Sequence, residues 1–122
     1  MSEISILIAE DDIIIAMDLE QILKSWKYNV KIVSSGEEAV KESIENKPDL
    51  ILMDINLKGM NGIEAAKKIK KLSIPIIFIS GSNYENSLKT VETSMHAYLS
   101  KPFEEELLQN EITSALKGCK IC

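Results

Sequence analysis

The sequence predicts a doubly wound α/β fold, with five parallel strands in the order 2-1-3-4-5 and five helices covering both faces of the sheet. Three observations predict it. Short apolar runs alternate along the chain with stretches whose apolar residues recur at helical spacing. The strand cores are near-continuous apolar runs rather than alternately apolar and polar, as expected of strands buried on both faces. The chain has 122 residues, enough for one domain with a real core. Its five strands are too few for a closed eight-stranded barrel.

Each element has its own signal. Ile4 to Ala9 is the first strand. Ile15, Leu19, Ile22, Leu23 and Trp26 follow at helical spacing, with Trp26 and Tyr28 as packing residues near the helix end. Asn29 to Val33 reads as the second strand. Ser35 with Glu38 three residues on is a capping-box signature, and Ala39, Val40 and Ile44 continue that helix. Leu50 to Met53 is a buried strand behind Pro48 and Asp49. Gly59, Asn61 and Gly62 mark a loop. Ile63, Ala66 and Ile69 give a third helix, and the lysines at 67, 68, 70 and 71 read as its solvated face. Pro75 opens the strand Ile76 to Ile79. Leu88, Val91 and Met95 sketch a fourth helix, Tyr98 and Leu99 a short last strand, and Leu107, Leu108, Ile112, Ala115 and Leu116 a fifth helix. Right-handed crossovers then give a three-layer, flavodoxin-like α/β/α sandwich over residues 1–117, with a short tail at 118–122.

Composition excludes several classes. Apolar residues make up 45% and charged residues 27%, an ordinary globular balance that excludes collagen-like, disulfide-knot and largely disordered chains. The longest apolar run, Ile13 to Met17, is far short of a membrane helix, and no basic stretch precedes an apolar one at the start. A cytoplasmic location is expected. The net charge of −5 and an aromatic content of 5% disfavour direct nucleic-acid binding, because such a surface repels phosphates and offers little stacking. Cys119 and Cys122 form a lone C-x-x-C with no second ligand pair, and read as reduced thiols on the tail.

Function in such sheets lies beyond the carboxyl ends of the strands. There the sequence places Glu10, Asp11 and Asp12 after strand 1, Asp54 and Asn56 after strand 3, Ser80 and Gly81 after strand 4, and Lys101 and Pro102 after strand 5. In the order 2-1-3-4-5, strands 1 and 3 are neighbours, so Glu10, Asp11 and Asp54 crowd together. Three carboxylates repel unless a cation sits among them, and an all-oxygen set suits Mg²⁺. With Lys101 beside it, such a cluster can receive a phosphoryl group on an aspartate, since metal and ammonium neutralise its oxygens.

These residues resemble a two-component response-regulator receiver domain, over nearly the whole chain. The matching pieces are Ile6 to Asp12, Leu52 to Gly62 around Asp54, Phe78 to Gly81, and Tyr98 to Phe103. The resemblance implies that Asp54 is the phosphoacceptor. It implies Mg²⁺ held by Asp11, Asp54 and the Asn56 backbone carbonyl, with Glu10 assisting. Ser80 takes the switch hydroxyl position and Tyr98 the aromatic switch position. Lys101 contacts the phosphoryl group, and its bond to Pro102 is expected to be cis. The implied partners are a sensor histidine kinase or a histidine phosphotransfer protein upstream, and an effector protein docking on the face made by the fourth helix, fifth strand and fifth helix. Pairing into a homodimer on phosphorylation is compatible with this. The chain would not be an enzyme beyond catalysing its own phosphorylation and dephosphorylation.

The chain departs from the family pattern in places. Lys58 stands where many receivers have proline, Ser80 where threonine is commoner, and Ser94 to Ala97 replace a commoner glycine-containing turn. Asp12 reads as a first-turn residue favoured by the helix dipole, and His96 as a surface or turn histidine. An aspartate-nucleophile phosphatase would need a second carboxylate where Asn56 stands. A flavodoxin would need a Ser/Thr/Gly-rich phosphate loop where Glu10-Asp11-Asp12 stands. The remaining alternative is a degenerate receiver that only binds proteins, against which the complete acidic set, Ser80 and Lys101 argue.

Overall fold

Leu50, Ile51, Leu52 and Met53 are fully buried because their strand lies in the middle of the sheet with helices on both sides. In the computed structural model of the protein, the described residues are 3–57, 59–80, 95–100 and 104–121. In chain order they form β1 (Ser5–Ala9), α1 (Ile13–Ser25), β2 (Asn29–Val33), α2 (Gly36–Asn46), β3 (Leu50–Asp54), α3 (Gly62–Ile69), a 3₁₀ turn (Lys70–Leu72), β4 (Ile76–Ser80), β5 (Met95–Ser100) and α4 (Glu105–Ile121). The five strands are parallel, in the order β2-β1-β3-β4-β5. This is the expected flavodoxin-like topology.

Successive side chains of a strand point to opposite faces, so each central strand feeds two cores. Leu7, Ala9, Ile51, Met53, Ile76 and Phe78 pack with α2 and α3. Ile6, Ile8, Leu50, Leu52, Ile77 and Ile79 pack on the other side with α1 and α4. Trp26 and Tyr28 are half-buried against that second core, and the burial raises the Tyr28 hydroxyl pKa. β2 differs from the central strands. It is an edge strand with alternating exposure rather than a buried run.

The end of the chain differs from expectation. Met95 belongs to β5, opposite Ile76, and not to a helix with Leu88 and Val91. Residues 95–97 therefore extend the last strand instead of forming a turn before it, and His96 is a strand residue. The local spacing of Leu88, Val91 and Met95 fits a helix, but pairing with β4 takes the last of them into the sheet. The rest of the expected fourth helix lies outside the described residues. The final helix runs from Glu105 to Ile121. The lysines at 67, 68, 70 and 71 are exposed, as expected.

The helix ends are set by polar side chains and by left-handed residues. Asp12 is the N-cap of α1 rather than a first-turn residue, and its carboxylate accepts the N–H groups of Ile14 and Ile15 at 3.0 and 3.4 Å. Lys27, Lys47 and Ser73 take positive φ where α1, α2 and the 3₁₀ turn stop, a backbone region glycine usually fills. Ser35 caps α2 by accepting the Glu38 N–H at 3.2 Å. The Glu38 carboxylate reaches one residue further back than a simple capping box, accepting the Ser34 N–H at 2.9 Å and its hydroxyl at 3.1 Å.

The Ser34 backbone bond foremost, with the serine hydroxyl bond, holds the Glu38 carboxyl below its ordinary value of 4.5. A lowered folded-state pKa adds stability above the ordinary value and loses it as pH falls through the folded value. Glu38→Gln should therefore lower the melting temperature at about pH 7, and the gap from wild type should close at a pH below the ordinary carboxyl value. Thermal unfolding followed by circular dichroism checks this; an equal gap at both pH values would contradict it.

Candidate functional site

The register of two strands builds the site. Ala9 of β1 lies opposite Met53 of β3, so the next residues, Glu10 just past β1 and Asp54 at the end of β3, stand side by side. Glu10 is 2% exposed and Asp54 is 5% exposed. With half-buried Asp11 they bring three carboxylate oxygens within 4.8 Å of one another. Such a set is all oxygen, hard and anionic, which fits Mg²⁺ and fits no soft metal.

Backbone N–H groups hold Glu10 and Asp54 directly, and the turn after Glu10 carries Asp11. The Glu10 N–H donates to the Val33 carbonyl at 3.0 Å, tying the end of β1 to β2. The Glu10 carboxylate accepts the Asp12 N–H at 3.2 Å, which fixes the turn that carries Asp11. One Asp54 oxygen accepts the Asn56 N–H at 3.0 Å, which orients that carboxylate and sets the backbone of Asn56 beside it. The Ile55 N–H donates to Ile79 at 3.2 Å, so β3 and β4 stay paired to the edge of the site.

Gly62, the first residue of α3, explains how the helix can begin so close. A Cβ there would stand 2.3 Å from the Asp54 carbonyl oxygen, a distance no real side chain tolerates. Its N–H donates to the Ile55 carbonyl at 2.9 Å, closing the loop after the strand. Asn61 caps the helix in a reciprocal box with Glu64.

The other expected residues are only partly placed. Ser80 ends β4 one residue beyond Ile79, the partner of Asp54, and so belongs at the same rim by its backbone. Tyr98 lies in β5 opposite Phe78, half-buried against the core beside α2 and α3. Gly81, Lys101 and Pro102, with the expected cis bond, lie outside the described residues, as does Lys58. The first turns of α1, which follow the Glu10 to Asp12 turn in sequence, expose Ile13, Ile14 and Met17. The signal was the run Ile13 to Met17 itself. At about 100° per residue it goes round the whole helix, so part of it must face solvent.

The comparisons with known proteins agree on the family. The response regulator receiver domain model matches residues 6–113. The chain belongs to the response regulator receiver domain family. This receiver domain is 34% identical over 116 residues to the transcriptional regulatory protein ZraR of Escherichia coli K12, covering 93% of this chain and 26% of that protein. It is 39% identical over 114 residues to the uncharacterized transcriptional regulatory protein YvcP of Bacillus subtilis, covering 92% of this chain and 48% of that protein. The receiver domain thus spans a quarter to a half of these relatives. Among solved structures, a CheY-like response regulator receiver domain protein of Methanospirillum hungatei superposes with TM-score 0.88 at 32% identity, covering 98% of each chain. The receiver domain of the sensor histidine kinase PA1611 of Pseudomonas aeruginosa superposes with TM-score 0.84 at 28% identity, covering 94% of this chain and 98% of that one, and holds a magnesium ion in its active site cleft. The acidic cluster of this chain fits such a site. Among the described residues, no helix is long and apolar enough to cross a membrane.

Gly62→Ala should push α3 off the end of β3, lowering stability by about 1–3 kcal/mol and moving the amide resonances of Ile55 and Asn56. Chemical denaturation with amide NMR spectra checks this; unchanged stability and spectra would contradict the close contact.

Proposed function

We propose that the chain is a phosphorylatable switch of a two-component system, with Asp54 as acceptor. The observation that supports it is the juxtaposition of Glu10, Asp11 and Asp54 at the carboxyl edge of β1 and β3, within 4.8 Å oxygen to oxygen. Asp11, Asp54 and the Asn56 carbonyl would hold Mg²⁺, and Glu10 would support Asp11 through the turn it fixes. Mg²⁺, when bound, neutralises the cluster and the oxygens of an incoming phosphoryl group.

An Asp54 carboxylate oxygen attacks phosphorus of a phosphohistidine, the P–N bond breaks, and its electron pair returns to the imidazole of the donor. The product on Asp54 is an acyl phosphate. Resetting is attack of water on phosphorus, release of phosphate and recovery of the Asp54 carboxylate. The Asn56 N–H keeps Asp54 in one orientation for both steps. Lys101 would contact the phosphoryl oxygens, and Ser80 and Tyr98 would carry the change towards the face of the fourth helix, fifth strand and fifth helix expected from the sequence. The upstream partner would be a histidine kinase or phosphotransfer protein in the cytoplasm. The exposed Ile13, Ile14 and Met17 at the start of α1 would give it an apolar surface. A downstream effector, or a second phosphorylated copy, would read the switched face.

Intact-protein mass spectrometry after incubation with acetyl phosphate tests this. The wild type should gain one phosphoryl group with Mg²⁺ and none without it, and Asp54→Asn should gain none. No gain on the wild type, while a known receiver labels in parallel, would leave the protein-binding-only reading.

A further inference from the structure

The loop that follows Asp54 is held at its far end by a different helix. The Met60 N–H donates to both oxygens of Glu37, in the first turn of α2, at 3.2 and 3.3 Å. Two glycines make this approach possible. Gly59 has φ of 68°, and a Cβ on it would stand 2.7 Å from a Glu37 carboxylate oxygen. A Cβ on Gly36 would stand 2.0 Å from the Met60 carbonyl oxygen. Backbone of α2 therefore lies directly on backbone of the loop, and the Glu37 carboxylate fills the space beside it.

The same loop begins with the Asn56 N–H on Asp54 and the buried side chains of Ile55 and Leu57. It closes on the Ile55 to Gly62 bond. These contacts tie the loop to β3 and α3. Glu37 ties it to α2, 23 residues away in sequence. We infer that Glu37 is a positioning residue for the phosphoryl-acceptor site, holding the Gly59–Met60 end of the loop through the Met60 amide so that Asn56 stays aligned with Asp54. The inference rests on the functional reading above and adds to it a residue outside the carboxylate cluster. Glu37 touches neither metal nor phosphoryl group in this role; it acts through the loop.

The test compares wild type, Glu37→Ala, Glu37→Gln and, as an exposed control on the same helix, Lys41→Ala. Three quantities are read: Met60 amide hydrogen exchange, the apparent Mg²⁺ affinity from amide NMR titration with MgCl₂, and the melting temperature. Glu37→Ala should speed Met60 exchange and weaken Mg²⁺ binding by about tenfold, the low end for supporting residues because Glu37 acts through backbone. Glu37→Gln keeps an acceptor oxygen and should restore most of both. Lys41→Ala should match wild type in both. The melting temperature separates the roles, since a merely structural contact would move it and leave Mg²⁺ affinity alone. Faster Met60 exchange with unchanged Mg²⁺ affinity would overturn the inference. If the wild type itself takes neither Mg²⁺ nor a phosphoryl group, the functional reading falls and this inference with it. If the wild type takes both and Glu37→Ala matches it, the inference alone falls.

Discussion

The pairing of β1 with β3 is the constraint on which the site depends. Parallel neighbours with Ala9 opposite Met53 deliver Glu10 and Asp54 at the same level of the same edge. That register is fixed by burial on both faces. A shift by one residue would exchange the Leu7, Ala9, Ile51 and Met53 set for the Ile6, Ile8, Leu50 and Leu52 set, each of which meets a different pair of helices. The apolar interior thus enforces an arrangement that electrostatics alone would oppose, since three carboxylates within 4.8 Å repel one another.

The cost of that repulsion is met locally by backbone. The Asp12 and Asn56 N–H groups reach Glu10 and Asp54, and each such bond to an ionised acceptor is stronger than a neutral one. These are bonds between residues two apart, so they form with the turns themselves. Longer-range ties then hold the turns in place: Glu10 to Val33, Ile55 to Ile79, and Glu37 to Met60. A rigid sheet edge carrying short turns is a suitable base for a switch, because small changes at the edge are passed on by packed elements rather than absorbed.

Much of this was legible in the sequence. The unbroken apolar runs Leu50 to Met53 and Ile76 to Ile79 announce strands buried on both faces, and with helical spacing between them they imply the parallel sandwich. Knowing the strand order, the meeting of Glu10, Asp11 and Asp54 follows. Other features were illegible because they depend on tertiary approach. Met95 fits the spacing of a helix and is taken by the sheet instead. Asp12 reads as a first-turn residue, and the backbone makes it the cap instead. The tie between Glu37 and Met60 leaves no local trace, because Gly36, Gly59 and Glu37 become meaningful only when α2 lies on the loop. β2 reads as a strand from Val30, Ile32 and Val33, but its edge position shows in the alternating exposure.

A crystal structure of the protein grown with Mg²⁺ and beryllofluoride, a stable mimic of an acyl phosphate, tests the central claim most directly. The expected result is beryllium bonded to an Asp54 oxygen, with one Mg²⁺ ligated by Asp11, Asp54 and the carbonyl of Asn56. Beryllofluoride absent from Asp54, or Mg²⁺ bound away from the carboxylates that β1 and β3 bring together, would contradict it.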